Sequence, residues 1–64
     1  MRNNVKRTTI KLEIKDGLKR IIRTLYYDRY NGYFIKYDGK FFKVWLDEND
    51  NWQVAVMKII DVIL

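Results

Sequence analysis

The stretch Asp47-Glu48-Asn49-Asp50-Asn51 opens like a calcium-binding loop, with oxygen ligands at alternate positions. It does not continue as one. Trp52 stands where the sharp turn needs glycine, and Lys58 stands where a bidentate glutamate would complete the shell. A capped acidic turn is the simpler reading. The remaining carboxylates are scattered. Asp16 and Asp38 each precede a glycine, where turn chemistry accounts for them. Asp28 falls near a strand end, where an arginine would be its natural partner. Metal-assisted nicking of a nucleic acid needs at least two carboxylates converging on one cation. Only symmetry-related copies of this chain would assemble such a site, so catalytic residues stay unassigned. There is no cysteine and no histidine, which removes disulfides, thiol nucleophiles and the usual zinc ligands. No phosphate-cradling glycine loop or nucleophile elbow occurs. No cofactor and no metal site are expected, and an unaided enzyme is not the expectation.

The chemistry that remains is that of lysine, arginine and aromatic rings. The chain has 64 residues, a net charge of +5, 48% hydrophobic content and 16% aromatic content, too rich in apolar side chains for a disordered segment. Charge is unevenly spread. Residues 1–46 carry twelve Lys or Arg against four acids, a net +8, and residues 47–64 carry one Lys against four acids, a net −3. A basic region attracts polyanions, although a soluble surface alone explains many basic proteins. Phosphates draw Lys and Arg, and each neutralised phosphate releases counterions. Unpaired bases stack on Tyr, Phe and Trp.

Strands must position these groups. Residues 1–7 read as a basic N-terminal arm. Residues 8–14 alternate apolar and polar, and residues 18–30 are β-branched and aromatic. Residues 32–37 and 40–46 follow as two further strands. Asn31-Gly32 and Asp38-Gly39 are strong hairpin signals, Asp16-Gly17 marks a third turn, and no proline interrupts the run. The expected sheet is a four-stranded antiparallel meander over residues 8–46. Residues 50–64 read either as a fifth strand, from their β-branched content, or as a helix, from their polar pattern. At helical spacing Asp50, Asn51, Gln53, Lys58 and Asp61 share one side, with Ala55, Val56, Ile59, Ile60, Val62 and Ile63 on the other. As an unbroken strand, Lys58 and Asp61 would lie on opposite faces. The helix is preferred, giving one α+β domain, ββββα, over residues 1–64.

Two-residue loops at Asn31-Gly32 and Asp38-Gly39 fix which residues share a face. A three-residue loop at Lys15-Asp16-Gly17 gathers Ile10, Leu12, Ile14, Leu18, Ile22, Tyr26, Tyr30, Tyr33, Ile35, Tyr37, Phe42, Val44 and Leu46 into one core. A two-residue loop at Asp16-Gly17 would split that set. The opposite face then holds Lys11, Glu13, Lys19, Ile21, Arg23, Leu25, Tyr27, Arg29, Phe34, Lys36, Phe41, Lys43 and Trp45. Lys11, Lys19, Arg23, Arg29, Lys36 and Lys43 are the expected phosphate contacts. Tyr27, Phe34, Phe41 and Trp45 are the expected stacking rings. Single strands fit this face better than duplex, whose bases are already stacked. The competing use is a protein interface, with the apolar side chains buried and the lysines at its rim.

The hairpin region GYFIKYDGKFFKVWLD followed by NWQVAVMKIIDVIL resembles the single-stranded-DNA-binding fold of the transcriptional positive cofactor four family and its small bacterial and phage relatives. The resemblance is one of topology over residues 8–64. Val44-Trp45-Leu46-Asp47 and an acidic turn replace the family's Arg-Glu-aromatic stretch and basic loop. It implies a homo-oligomer, dimer or tetramer, that binds single-stranded DNA on its sheet. It also implies an alternative: a phage or mobile-element inhibitor of anti-CRISPR type acting on a host protein or on DNA topology, with divalent-dependent nicking as its enzymatic form. A small chain without disulfides gains most readily from self-association. The polar start and the C-terminal apolar stretch, broken by Lys58 and Asp61, give neither a targeting nor a membrane segment, so a bacterial cytoplasm is the expected location.

Overall fold

The computed structural model describes residues 5–63. Its strands are β1 (Val5–Asp16), β2 (Lys19–Asp28), β3 (Gly32–Tyr37), β4 (Lys40–Leu46), β5 (Trp52–Val54) and β6 (Lys58–Ile63). All neighbours are antiparallel, in the order β5-β4-β3-β2-β1-β6. Five strands meander. Residues 55–57 then carry the chain to the other edge, where β6 pairs with β1. The sheet therefore curls into a nearly closed barrel, with β5 and β6 its two edges. The interior holds Leu12, Ile14, Leu25, Ile35, Val44 and Val54, packed about by Ile10, Ile21, Phe42, Trp52, Met57 and Ile59.

The expected ββββα fold is overturned: no helix occurs among the described residues, and residues 52–54 and 58–63 are strands. The misleading polar pattern has a local cause. Glu13 pairs with Asp61 and Lys15 with Lys58, with a register shift between. Glu13 and Lys15 share a face of β1, so Lys58 and Asp61 share a face of β6 although three positions apart. One extra residue in β6, a β-bulge, imitates helical spacing. The basic arm is also shorter than expected, since residues 5–7 belong to β1; residues 1–4 and 64 lie outside the described residues.

The faces of β1, β3 and β4 fall as expected, and β2 is turned over. The first hairpin pairs Asp16 with Lys19 around Gly17-Leu18, not Ile14 with Leu18. Gly17 has φ 62° and Leu18 does not have positive φ, as in a type II′ turn. The second hairpin pairs Asp28 with Gly32, not Tyr30 with Tyr33. Its loop, residues 29–31, is closed by the Asn31 N–H donating to the Asp28 carbonyl at 3.2 Å, and Gly32 sits at φ 93°. Both pairings differ from expectation by an odd number of residues. Every β2 side chain thus changes side. Ile21 and Leu25 go in; Ile22 and Tyr26 go out. The third hairpin pairs Tyr37 with Lys40 around Asp38 and Gly39, at φ 53° and 76°, as a type I′ turn requires.

A wider irregularity in β1 lies between Arg7 and Lys11. There the Thr8 hydroxyl donates to the Leu25 carbonyl at 2.6 Å and accepts the Ile10 N–H at 3.2 Å. It gives partners to two backbone groups where the ladder is interrupted.

Candidate nucleic-acid interface

Register assembles the site on the outer face of β2, β3 and β4. Tyr26 lies opposite Phe34, Phe34 opposite Lys43, and Lys36 opposite Phe41. Trp45 continues the outward series Phe41, Lys43, Trp45 along β4. Side chains two apart on a strand repeat every ~6.7 Å, so Phe41 and Trp45 are about 13 Å apart along β4.

The rings are held in place. Phe41 meets Tyr26 edge-to-face, with centroids 5.5 Å apart and planes at 88°, and Phe34 at 6.2 Å and 76°. Phe34 is only 9% exposed although it points outward, because these neighbours cover it. It serves as the floor of the patch. Phe41 and Trp45 remain 42% and 44% exposed. The Lys36 ammonium sits 5.7 Å from the Phe41 centroid, within cation–π range. The result is a fixed aromatic platform edged by amines.

The ten residues expected to form the site are only partly brought together. Lys11, Phe34, Lys36, Phe41, Lys43 and Trp45 are on the outer face. Lys19, Arg23 and Tyr27 follow β2 to the inward register near the rims. The Arg23 guanidinium reaches out of the barrel, lying 5.1 Å from the Tyr37 centroid and donating to the Ile22 carbonyl at 2.8 Å. Tyr27 packs with Tyr33 at 5.0 Å, and Tyr33 meets Trp52 at 5.1 Å, lining the opposite rim. Arg29 lies in the loop, 5.3 Å from the Tyr30 ring. Tyr26, assigned to the core from sequence, joins the platform instead. The available signal was Asp28 at the start of a longer turn. Its Oδ1 accepts the Tyr30 N–H at 2.9 Å and its Oδ2 accepts the Asn31 Nδ2–H at 3.0 Å.

Asp47 and Asp16 are used structurally. Asp47 closes the turn before β5: Oδ1 accepts the N–H groups of Asn49 at 2.9 Å and Asn51 at 3.0 Å, and Oδ2 accepts the Gln53 amide at 2.8 Å. Hydrogen bonds from the Asn51 backbone first, then Gln53, hold its carboxyl below its ordinary range. Asp16 Oδ2 accepts the Tyr37 hydroxyl at 2.7 Å, a bond that raises the Tyr37 phenol above its ordinary value. Among the described residues, no group of three or more acids is placed to hold a metal ion, and no helix is long and apolar enough to cross a membrane. A cleft of about 430 Å³ separates β5 from β6, between Trp52 and Gln53 on one side and Ile59, Ile60 and Asp61 on the other.

The chain matches no family model, no curated protein and no solved structure. The topology that resembles the positive cofactor four family includes a terminal helix, and the described residues hold none.

Proposed function

We propose that the chain binds single-stranded nucleic acid on the outer face of β2, β3 and β4. The observation that supports this reading is the pair Phe41 and Trp45, both more than two-fifths exposed on one face, with Lys36 and Lys43 beside them and Phe34 buried as their floor. Lone exposed aromatics are ordinary on protein surfaces. A ring braced by two edge-to-face contacts, with amines at phosphate-reaching length, offers a base a flat surface at little ordering cost. The Asp28 and Asp47 carboxylates each accept hydrogen bonds within their own turns.

Self-association belongs to the same proposal. β5 and β6 are sheet edges, and edge pairing with a second copy would leave the platform free. Tryptophan emission titrated with oligo-dT at low salt tests the binding, beside light scattering for mass. Quenching that weakens steeply as salt rises is expected, and Trp45→Phe removes most of it because Trp52 packs on Tyr33. Absence of any binding at low salt rejects the reading.

A further inference from the structure

The hairpin end of the barrel carries chemistry that the platform does not use. Asp16 pairs with Lys19, Lys15 with both Arg20 and Lys58, and Tyr37 with Lys40. The Tyr37–Asp16 hydrogen bond and the Arg23–Tyr37 contact tie the turn at Gly17-Leu18 to the turn at Asp38-Gly39. Lys15, Lys19, Arg20, Arg23, Lys40 and Lys58 thus gather at one end. Among the described residues Asp16 and Asp38 stand at the turns themselves, with Asp16 occupied by the Tyr37 hydroxyl, and Glu13 and Asp61 lie two positions farther along β1 and about three along β6. At the centre stands Leu18, fully exposed at 100%. A Cβ built on Gly17 or on Gly39 would meet nothing within 4 Å, so both turns project into open space.

Evolution has cheaper residues for an exposed turn than leucine. A leucine cannot stack flat on a base as the rings of the platform do. An aliphatic side chain presented by a tight turn between cations is suited to a different task, which is to enter a base step and part it while the cations hold the flanking phosphates. Duplex supplies the denser line of phosphates for that grip. The platform begins at the same end, since Phe41 directly follows Lys40 at the Asp38-Gly39 turn. A strand freed at Leu18 would pass over Phe41, Lys43 and Trp45.

We propose that Leu18 is a wedge and that this basic end recognises the junction between duplex and single-stranded nucleic acid. The inference rests on the platform reading and adds the partner's form to it. The probe is a duplex with a single-stranded dT tail and 2-aminopurine at the last paired position, mixed with the intact chain or with Leu18→Ala. The side chain is fully exposed, so the substitution leaves the fold as it is. The expected result is a rise in 2-aminopurine emission with the native chain, of which Leu18→Ala loses about three-quarters or more as the unstacking wedge is removed. Affinity for dT alone stays within about two-fold, because the platform is intact. An undiminished rise in Leu18→Ala overturns the wedge while leaving the platform standing. Leu18-dependent binding to phosphatidylserine vesicles, without any emission change, also overturns it and assigns the end to a membrane surface. Failure of the native chain to bind dT or the tailed duplex overturns both proposals together.

Discussion

Leu25 and Ile22 decide the face of β2, and a pair of substitutions separates them. Leu25 is wholly buried, opposite Ile35, in the central cluster with Leu12 and Val44; Ile22 is 50% exposed on the outer face. Truncating a buried leucine to alanine costs about 2–5 kcal/mol, through lost transfer energy and the cavity left behind. The same truncation at a half-exposed isoleucine removes three carbons, each about half-buried, and costs about 1 kcal/mol. A chain of 64 residues has a total stability of only about 3–10 kcal/mol. Leu25→Ala therefore removes a large share of it, and Ile35→Val, at about 0.5–1.5 kcal/mol, supplies a milder core probe that stays folded. Urea unfolding followed by circular dichroism reads the result. With a slope of about 1 kcal/mol per molar, Leu25→Ala moves the midpoint down by about 2 M or more and Ile22→Ala by about 1 M. If Ile22→Ala costs as much as Leu25→Ala, β2 has the opposite face inward. Tyr26 then leaves the platform and the bracing of Phe41 falls with it.

Phe41→Ala and Trp45→Ala are each expected to weaken oligo-dT binding by about 1–3 kcal/mol, roughly 5- to 150-fold, measured by anisotropy of a labelled oligonucleotide. Lys43→Ala acts differently: it lowers the slope of log affinity against log salt by about 0.7, the value for one single-strand phosphate contact. Thr8→Val keeps the side-chain shape but strands the Leu25 carbonyl and the Ile10 N–H, and lowers stability by about 1–3 kcal/mol in the same urea assay. Asp47 titrates below its ordinary value of 3.8 in the folded chain, so its contribution is present above that value and lost as pH falls through the folded one. The urea midpoint of the native chain should therefore drop in strong acid by more than that of Asp47→Asn, and equal drops would show that the turn does not depend on this carboxylate.

Much of the sheet is legible in the sequence, because its hairpin signals are local. Asp38-Gly39 dictates a type I′ turn, and the pairing of β3 with β4 follows residue for residue. Lys36, Phe41, Lys43 and Trp45 fall on the outer face for that reason. The other two turns are less determinate. Asn31-Gly32 reads as a two-residue loop, yet the Asp28 side chain organises a longer one by taking the Tyr30 N–H. Asp16-Gly17 reads as the first turn, yet Gly17-Leu18 is the pair that turns, with glycine first. Each shift is small, but the pleat has a period of two, so an odd shift inverts a whole strand. The sequence alternation of β2 could not prevent this. Ile22 and Tyr26 compete with Ile21 and Leu25 for the interior on nearly equal apolar terms. Arg23 tips neither way, because its long side chain reaches the rim from the inward register.

The C-terminal segment shows how a closed sheet can look helical in one dimension. A strand that must both pair with β1 and curve around a barrel gains from a bulge, which adds twist and one residue. That residue lets Lys58 and Asp61 face the same solvent at a separation of three, the separation a helix face would give. Counting polar positions cannot distinguish the two. The β-branched content of Val54, Val56, Ile59, Ile60, Val62 and Ile63 can, because those side chains lose more rotamer freedom in a helix than on a pleated surface. The consequence reaches the surface chemistry. As a helix residue Lys58 would have balanced Asp61 on a separate solvated face. As a strand residue it stands beside Lys15 and joins the basic hairpin end, while Asp61 stands beside Glu13 farther along the barrel. The bulge thus keeps Lys58 on the outer face beside Lys15, at the basic end around Leu18.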